Sequence, residues 1–391
     1  MLWDFNAALQ VSLIIFPIVA LAMTLPYMIY QYLKHGSLII WRTVVIYSFA
    51  YYLLLVYFVV ILPLPSRSQA ASMTTPYTQL QLFETFRTFV ASTSFSWSMP
   101  SRWLSALSSI NGQQILLNIL LTIPLGVYLH YYFNRSLVTT LLMSFLVSLF
   151  LELTQLSALY GLYPRPYRLF DVDDLFLNTA GGGLGYFLGY SMKSILPSRD
   201  DMNLEAYTKR NTISYLRRIT AAVVDGGCIL FLSIITYKIF IGNLGRIKLL
   251  ETPKDYFKDL LVNEKAYALV IGYLIVFFIL VPWLTKGYTI GKRLVGLKLV
   301  ATNKQPVRFH QLLARYIPLF TWLIFVYVSG LQLLYLNKVT PDTLDQSLLL
   351  ILATGIVILC MVLDAIISWI KKTPLAYEVI STSINMNVVD E

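Results

Sequence analysis

Residues 170–189 read FDVDDLFLNTAGGGLGYFLG and combine acids, an amide and regularly spaced glycines with an otherwise apolar helix. A carboxylate is costly to hold in hydrocarbon unless it is paired or hydrated, so acids beside a membrane helix are candidates for a functional site. The polar residues of the stretch are Asp171, Asp173, Asp174 and Asn178. The glycines that recur every four residues are Gly181, Gly185 and Gly189, a spacing that predicts close helix packing.

A second apolar segment upstream carries matching polar residues. Residues 149–156 read LFLELTQL and place Glu152 and Gln155 three residues apart, on one helix face. At 1.5 Å of rise per residue, Glu152 lies near the outer end of its helix if Arg135 lies on the inner side. We therefore predict one outer polar site, made of Glu152, Gln155, Arg168, Asp171, Asp173, Asp174 and Asn178.

Two interpretations of this outer polar site stay open. In the first, the aspartates cap the helix that follows them, and Arg165 and Arg168 pair with them in a solvated turn. In the second, the residues form an outward-facing pocket for an amine, a sugar or a cation. The spacing of the carboxylates resembles no metal motif, so we predict neither a metal site nor a cofactor.

The composition places the chain among integral membrane proteins. Of its 391 residues, 57% are hydrophobic and 13% are charged, and the mean hydropathy is +0.66. Bilayers leave no open sheet edge satisfied, so we predict an all-α, polytopic protein of about nine transmembrane helices. The predicted spans cover residues 9–33, 41–63, 113–132, 136–158, 174–195, 217–241, 265–284, 312–336 and 346–370.

The basic residues indicate the orientation of these spans. The formal net charge is +10, but lysines and arginines lie mainly in alternate short links and form no single patch, so we predict no nucleic-acid partner. By the positive-inside rule these links face the cytoplasm, which puts the amino terminus outside and the carboxyl terminus inside. We predict a multi-pass protein of the bacterial plasma membrane.

The polar stretch 193–218 carries both charge signs and divides the chain. We predict a five-helix membrane domain over 1–195, a cytoplasmic linker over 196–216 and a four-helix membrane domain over 217–391. The external connection 63–112 is the longest, and its interleaved aromatics favour an element that lies on the membrane surface.

The first part resembles the VanZ-like family of bacterial membrane proteins over roughly 40–195. The resemblance rests on the N-x5-P-L-G segment at Asn118–Gly126, the E-x2-Q pair at Glu152 and Gln155, and the FDVDDLxxNTxGGxxGY block. It implies a role in tolerance to glycopeptide antibiotics, teicoplanin in particular. An outward-facing polar cluster is compatible with that role because such antibiotics act at the outer surface.

The second part carries charged residues inside or beside predicted spans, and we group them as an inner charged cluster. Its members are Arg218, Asp225, Arg315, Asp364 and Glu378. Asp225 follows Arg218 by two helical turns on the same face, with Arg218, Arg315 or the basic link near 290 as candidate partners. Two functions remain open for it, structural charge pairing and an ion or proton path.

The same part resembles the RDD family, named for an arginine and two aspartates, over about 214–386. The match rests on the stretch from Arg218 to Asp225 and on GKRLVGL at 291–297. Near the end, where the family usually has a His-Asp pair, this chain has Tyr377 and Glu378, so Asp364 is a rival for the last acidic role. The resemblance implies cation–proton antiport for some members.

The sequence shows no phosphate loop, nucleophile elbow, HExxH or paired-cysteine motif, so a conventional catalytic site is not expected. Our leading hypothesis is envelope protection through an external site that faces a cell-wall precursor or a lipoglycopeptide antibiotic. The alternative is a cation-coupled secondary transporter that uses Asp225 and Asp364, and a third possibility is a scaffold without a ligand. Polar residues appear near each membrane face with little between them, which favours two separate sites over one continuous path.

Overall fold

A computed structural model describes residues 2–240, 264–334, 341–371 and 373–388. The chain is mainly helical and divides by its internal contacts into two units. Unit 1 comprises 1–24 and 39–206, and unit 2 comprises 25–38 and 207–391. The predicted linker 196–216 contains a helix, Arg199–Lys209, so it is not an extended connection.

Unit 1 contains five long helices with short elements between them. Its helices, with the first continuing into unit 2, are α1 (Leu2–His35), α2 (Ile40–Ile61), α3 (Arg67–Ser72), α4 (Glu84–Ser92), α5 (Trp103–Leu107), α6 (Ile110–Tyr131), α7 (Leu137–Leu156), α8 (Ala158–Gly161), α9 (Val172–Ile195) and α10 (Arg199–Lys209). One buried cluster includes Ile39, Val45 and Met202, which ties α10 to the start of α2.

Helix α9 packs directly against α6 because glycines remove the side chains between them. A Cβ atom at Gly185 would overlap the carbonyl oxygen of Ile123, and one at Gly181 would overlap that of Ile119. Gly189 lies against the His130 side chain, where an added Cβ would be 3.0 Å from the His130 Cβ. The glycine stripe therefore faces α6, and close approach of the backbones explains its four-residue spacing.

The long connection 63–112 is folded and contains α3, α4, α5 and the strand β1 (Thr78–Gln79). We call this connection the outer element. Its strand β1 pairs in parallel with β2 (Phe170–Asp171), which directly precedes α9. Helix α3 begins with a capping box at Ser66 and Gln69. The pairing brings the connection to the end of α9 where the predicted site residues lie.

Unit 2 contains four long helical segments and a small antiparallel sheet. Its elements are α11 (Tyr215–Phe240), α12 (Glu264–Ile275), a π-helical turn (Val276–Leu280), α13 (Val281–Leu284), α14 (Ile290–Leu294), β3 (Leu297–Ala301), α15 (Phe309–Leu334), α16 (Pro341–Lys371), α17 (Ala376–Ile380) and β4 (Ser383–Asn387). Strands β3 and β4 pair in register Leu297 to Asn387. Leu299 and Leu312 are fully buried in the cluster that joins the sheet to α15.

The chain is a multi-pass membrane protein, and a helix covers most or all of each predicted span within the described ranges. Six described helices are long and apolar enough to cross a membrane, at Asn6–His35, Ile40–Ile61, Ile110–Tyr131, Leu137–Leu156, Tyr215–Thr236 and Tyr267–Leu284. The predicted spans 174–195, 312–336 and 346–370 coincide with α9, α15 and α16. The count of nine and the orientation remain predictions.

Candidate functional site

Glu152 lies buried near the end of α7, where its side chain meets the start of α9. The carboxylate accepts a hydrogen bond from the main-chain N–H of Asp171 at 3.0 Å, and Glu152 is 4% exposed. Asp174, Asp171 and Arg168 are all close enough for their charges to act on this carboxyl group. Three carboxyl groups and one guanidinium thus meet at one end of unit 1.

Asp171 and Asp173 hold the outer element against α9. The Asp171 carboxylate accepts the N–H of Asp173 at 2.9 Å, which caps α9, and burial raises the pKa of Asp171. The first of our two interpretations had Asp173 cap α9 as well. Its carboxylate instead accepts the N–H groups of Phe83 at 2.6 Å and Thr85 at 2.8 Å. These N–H groups lie at the amino end of α4, so Asp173 binds the start of that helix and not the start of α9.

Asp174 and Asn178 face inward from successive turns of α9. The Asn118 side-chain amide donates to the Asp174 carboxylate. Asn178 donates to the Ser148 hydroxyl at 2.8 Å, and its main-chain oxygen accepts the Thr122 hydroxyl at 2.7 Å. The side-chain oxygen of Asn178 is buried without a hydrogen-bond partner in the described part of the chain. Polar residues from α6, α7 and α9 therefore meet here.

Gln155 and the two arginines bind main-chain oxygens. Gln155 donates to the Val60 carbonyl at 3.1 Å, and Arg168 donates to the Leu62 carbonyl. Arg165 donates to two carbonyl groups of the outer element. Our first interpretation required both arginines to pair with the aspartates. Hydrogen bonds to main-chain carbonyl groups hold the two arginines instead. Gln155 faces α2 and not the carboxylates.

A polar stripe along α7 was missed at the sequence level. Thr140, Ser144 and Ser148 are fully buried and follow one another at four-residue spacing up to Glu152. The hydroxyls of Thr140 and Ser144 have no hydrogen-bond partner among the described residues. The four-residue spacing in the sequence could have revealed this stripe. The stripe shows that buried polar groups continue along α7 from Glu152 towards the amino end of the helix.

In unit 2, Glu378 binds both predicted arginines of the inner charged cluster. Its carboxylate accepts from Arg218 at 3.1 Å and from Arg315 at 3.4 Å. Arg315 also donates to the Ser383 carbonyl at 2.7 Å, which links α15 to β4. Glu378 thus provides the negative charge between two cations.

Of the candidate partners that we predicted, Asp225 contacts the link near 290, but through a hydroxyl and a main-chain N–H group and not through a basic side chain. Its two carboxylate oxygens accept the Thr289 hydroxyl at 2.6 Å and the Gly291 N–H at 2.7 Å, and the residue is 1% exposed. Thr289 is the N-cap of α14, so Asp225 binds the amino end of that helix. A Cβ atom at Gly291 would overlap the Ala221 carbonyl oxygen, and glycine is what allows this approach. The expected pairing with Arg218 or Arg315 is wrong because Glu378 takes both.

The third predicted acid of the second part, Asp364, accepts the N–H of Ala376 at 3.0 Å, at the start of α17. Asp364 lines a cavity of about 570 Å³ together with Arg218, Asp225 and Arg315. The structure thus gathers four of the five members of the inner charged cluster around one cavity in unit 2. Glu378 lies behind the arginines that it binds.

Arg217 is not among the residues that the sequence singled out. Its side chain is fully buried and donates to the Val295 carbonyl at 2.7 Å and the Asn387 side chain at 3.0 Å. It lies over the Tyr32 ring, 5.6 Å from the ring centre. Nothing in the sequence distinguishes Arg217 from the adjacent Arg218, so its structural role emerges only from the fold.

Comparison with known families agrees with the division into two parts. Residues 49–193 match the family model described as VanZ/LLP1, and residues 213–374 match that of the RDD family. No curated protein and no solved structure matched the chain. Among the residues that the structure describes, no three His, Cys, Asp or Glu side chains are placed to bind a metal ion together.

Proposed function

We propose that this multi-pass membrane protein, which joins a VanZ-like part to an RDD part, protects the bacterial cell envelope and contributes to tolerance of teicoplanin-type glycopeptides. The observation that carries the proposal is the gathering of Glu152, Asp171 and Asp174 at one end of the VanZ-like part, beside a folded external element. The VanZ family is linked to glycopeptide resistance. The positive-inside pattern predicts that this end of the protein lies outside.

The chemistry of the site favours a ligand that carries amines or many hydroxyls. Glu152 and Asp174 accept hydrogen bonds from a main-chain N–H group and a side-chain amide, and each carboxyl group has further acceptor capacity. Arg168 is the cation that acts on Glu152, but it donates to the Leu62 carbonyl. The site therefore offers clustered carboxyl oxygens, which can accept hydrogen bonds from an ammonium group or from the hydroxyls of a sugar.

An aromatic cluster on the outer element supports an amphiphilic ligand. An apolar cavity of about 190 Å³ is lined by aromatic side chains that include Phe86, Phe95 and Trp97. Trp97 is 74% exposed. Asp173 holds the start of α4, which carries Phe86, and so connects this cluster to the acidic end of α9. A lipoglycopeptide offers both chemistries, with amines and sugars for the acids and an acyl chain for the aromatics.

The transport alternative relies on Asp225 as an ion carrier. Both Asp225 oxygens accept bonds that fix the amino end of α14, an arrangement that suits a structural role. Release of a bound cation at each cycle would require these bonds to rearrange. We therefore place envelope protection first, and cation-driven proton flux in vesicles of the purified protein is the result that would reverse this order.

The test is antibiotic susceptibility in a sensitive bacterium that expresses the full chain. We expect the wild-type protein to raise the inhibitory concentration of teicoplanin, and Glu152→Gln and Asp174→Asn to return it to the level of cells without the protein. Both changes keep the size of the side chain and remove its charge. Immunoblots of the membrane fraction verify that each variant accumulates.

Glu84→Gln is the matched control, because Glu84 is an exposed acid of the outer element whose partner Arg87 is also exposed. Its substitution removes one negative charge from the same external region and should leave tolerance unchanged. Full tolerance in the Glu152→Gln variant would contradict the proposed site. No change in any envelope-antibiotic susceptibility with the wild-type protein would contradict the proposed function itself.

A further inference from the structure

The cavity of unit 2 has a charged end and an apolar body. Arg218, Lys292 and Arg315 contribute cationic side chains to its wall, whereas Phe278, Leu319 and Ile356 contribute hydrocarbon. Its volume of about 570 Å³ falls within the range of about 300–1,000 Å³ that is typical of small-molecule sites. A ligand that fills it must therefore present a polar head and a hydrocarbon tail.

The acids at the charged end already accept hydrogen bonds from the protein. Both oxygens of Asp225 accept bonds from the start of α14, and Asp364 accepts one from the start of α17. Glu378 lies behind the wall and accepts from Arg218 and Arg315. These bonds leave the carboxylates less capacity to bind a further cation.

Unused hydrogen-bond donors line the same cavity. The Arg218 Nε and the Trp322 Nε1 are buried and have no hydrogen-bond partner within the part of the chain that is described. The Lys292 ammonium donates to the Tyr316 hydroxyl at 3.1 Å, and an ammonium has two further protons to donate. Since buried polar groups are normally satisfied, these donors point to an acceptor that carries negative charge.

We propose that this cavity binds an anionic amphiphile with one acyl chain, whose carboxylate or phosphate head contacts Arg218 and Lys292. The chain then lies along Phe278, Leu319 and Ile356. Charge-assisted hydrogen bonds from a guanidinium and an ammonium are the strong contacts of such a head. The site is independent of the outer polar site, and neither proposal depends on the other.

The native cysteines provide the test in the unmodified, full-length protein. Cys360 lines the cavity, whereas Cys228 on α11 lies outside its wall. The protein in detergent micelles is treated with N-ethylmaleimide, and the rate of labelling at each cysteine is read by peptide mass spectrometry. The ligands are oleate and oleoyl lysophosphatidate, with oleyl alcohol as the neutral analogue and inorganic phosphate as the head alone.

We expect oleate, oleoyl lysophosphatidate or both to slow Cys360 labelling about tenfold at ten times the dissociation constant, while Cys228 labels at an unchanged rate. Protection by only one of the two identifies a carboxylate or a phosphate as the preferred head. Equal protection by oleyl alcohol, protection by sodium or potassium ions instead, or no protection by any amphiphile would overturn the proposal. Protection by inorganic phosphate alone would overturn the acyl-chain part.

Lys292→Gln tests the head group directly. Loss of one charge-assisted bond should raise the concentration of the anionic amphiphile needed for protection by about tenfold or more. Lys304→Gln is the control, because Lys304 is exposed and lies outside the cavity wall. Cys228 labelling reports whether each variant is folded, and an unchanged ligand requirement in a folded Lys292→Gln variant would contradict the assigned head.

Discussion

Substitution of Glu378 by glutamine should leave Arg218 and Arg315 in unit 2 without the carboxylate that they share. The Glu378 side chain is 2% exposed and accepts from Arg218 at 3.1 Å and from Arg315 at 3.4 Å. Glutamine has nearly the same size, so packing changes little. It has no charge, however, so the two guanidinium groups would face each other across a neutral amide.

The expected cost follows from the burial of the partners. Removal of one member of a buried ion pair costs about 3–5 kcal/mol, because the other charge is left uncompensated. The Arg315 side chain is 4% exposed, but that of Arg218 is 24% exposed and keeps part of its hydration. We therefore expect the free energy of unfolding to fall by about 3 kcal/mol, the lower end of that range.

The assay is unfolding of the purified protein in mixed micelles with increasing sodium dodecyl sulfate, followed by far-ultraviolet circular dichroism. The Glu378→Gln, Arg315→Met double variant also removes Arg315, the more deeply buried of the two unpaired cations. It should recover about 1–2 kcal/mol of the lost unfolding free energy. Glu84→Gln breaks an exposed pair and should change stability by less than about 1 kcal/mol. Equal stability of Glu378→Gln and wild type, or a double variant no more stable than the single one, would refute the reasoning.

Three further predictions test packing, capping and topology. Gly185→Leu should lower the detergent melting temperature, since the added side chain meets the Ile123 backbone, whereas Gly272→Leu, with open space around it, should not. Asp225→Asn should cost about 1–3 kcal/mol in the same micelle titration, because an amide cannot replace both acceptors, and an added Arg218→Gln should give no rescue. In a chain without its native cysteines, a cysteine at position 68 should react with an impermeant thiol reagent in intact cells and one at 303 should not; the reverse would invert the orientation.

The helices could be predicted because hydropathy is a local property of the chain. An apolar run of about 20 residues suffices to span a bilayer, and α2, α6 and α7 follow such runs closely. Strands β3 and β4 could not be predicted in this way. Leu297 and Asn387 pair across a large sequence separation. Although Ser383–Asn387 alternates polar with apolar residues, each strand has only five residues, which is too short a pattern to identify its partner.

The positions of the acids were predictable, but their partners were not. Asp173 binds the N–H groups of Phe83 and Thr85, and Asp225 binds that of Gly291. A main-chain N–H is present at nearly every residue, so no side-chain pattern marks the one that a carboxylate selects. The charge pairs that we expected from sequence were chosen among side chains and therefore missed this class of partner.

These contacts divide the acids into two groups, those that bind the start of a helix and those that do not. Asp171, Asp173, Asp225 and Asp364 each accept an N–H group at the start of a helix, where the helix dipole favours a negative charge. Such an acid is committed to the fold, and its loss should lower stability before it alters ligand binding.

Glu152 and Asp174 differ from these capping acids. Glu152 accepts from the residue that precedes α9, and Asp174 accepts a side-chain amide from α6. Neither bond closes the first turn of a helix, although both carboxyl groups lie within electrostatic reach of each other. If the outer site binds a ligand, these two acids are the ones whose carboxyl groups remain available to it. A loss of antibiotic tolerance with unchanged stability is therefore expected at Glu152 and Asp174 and not at Asp173.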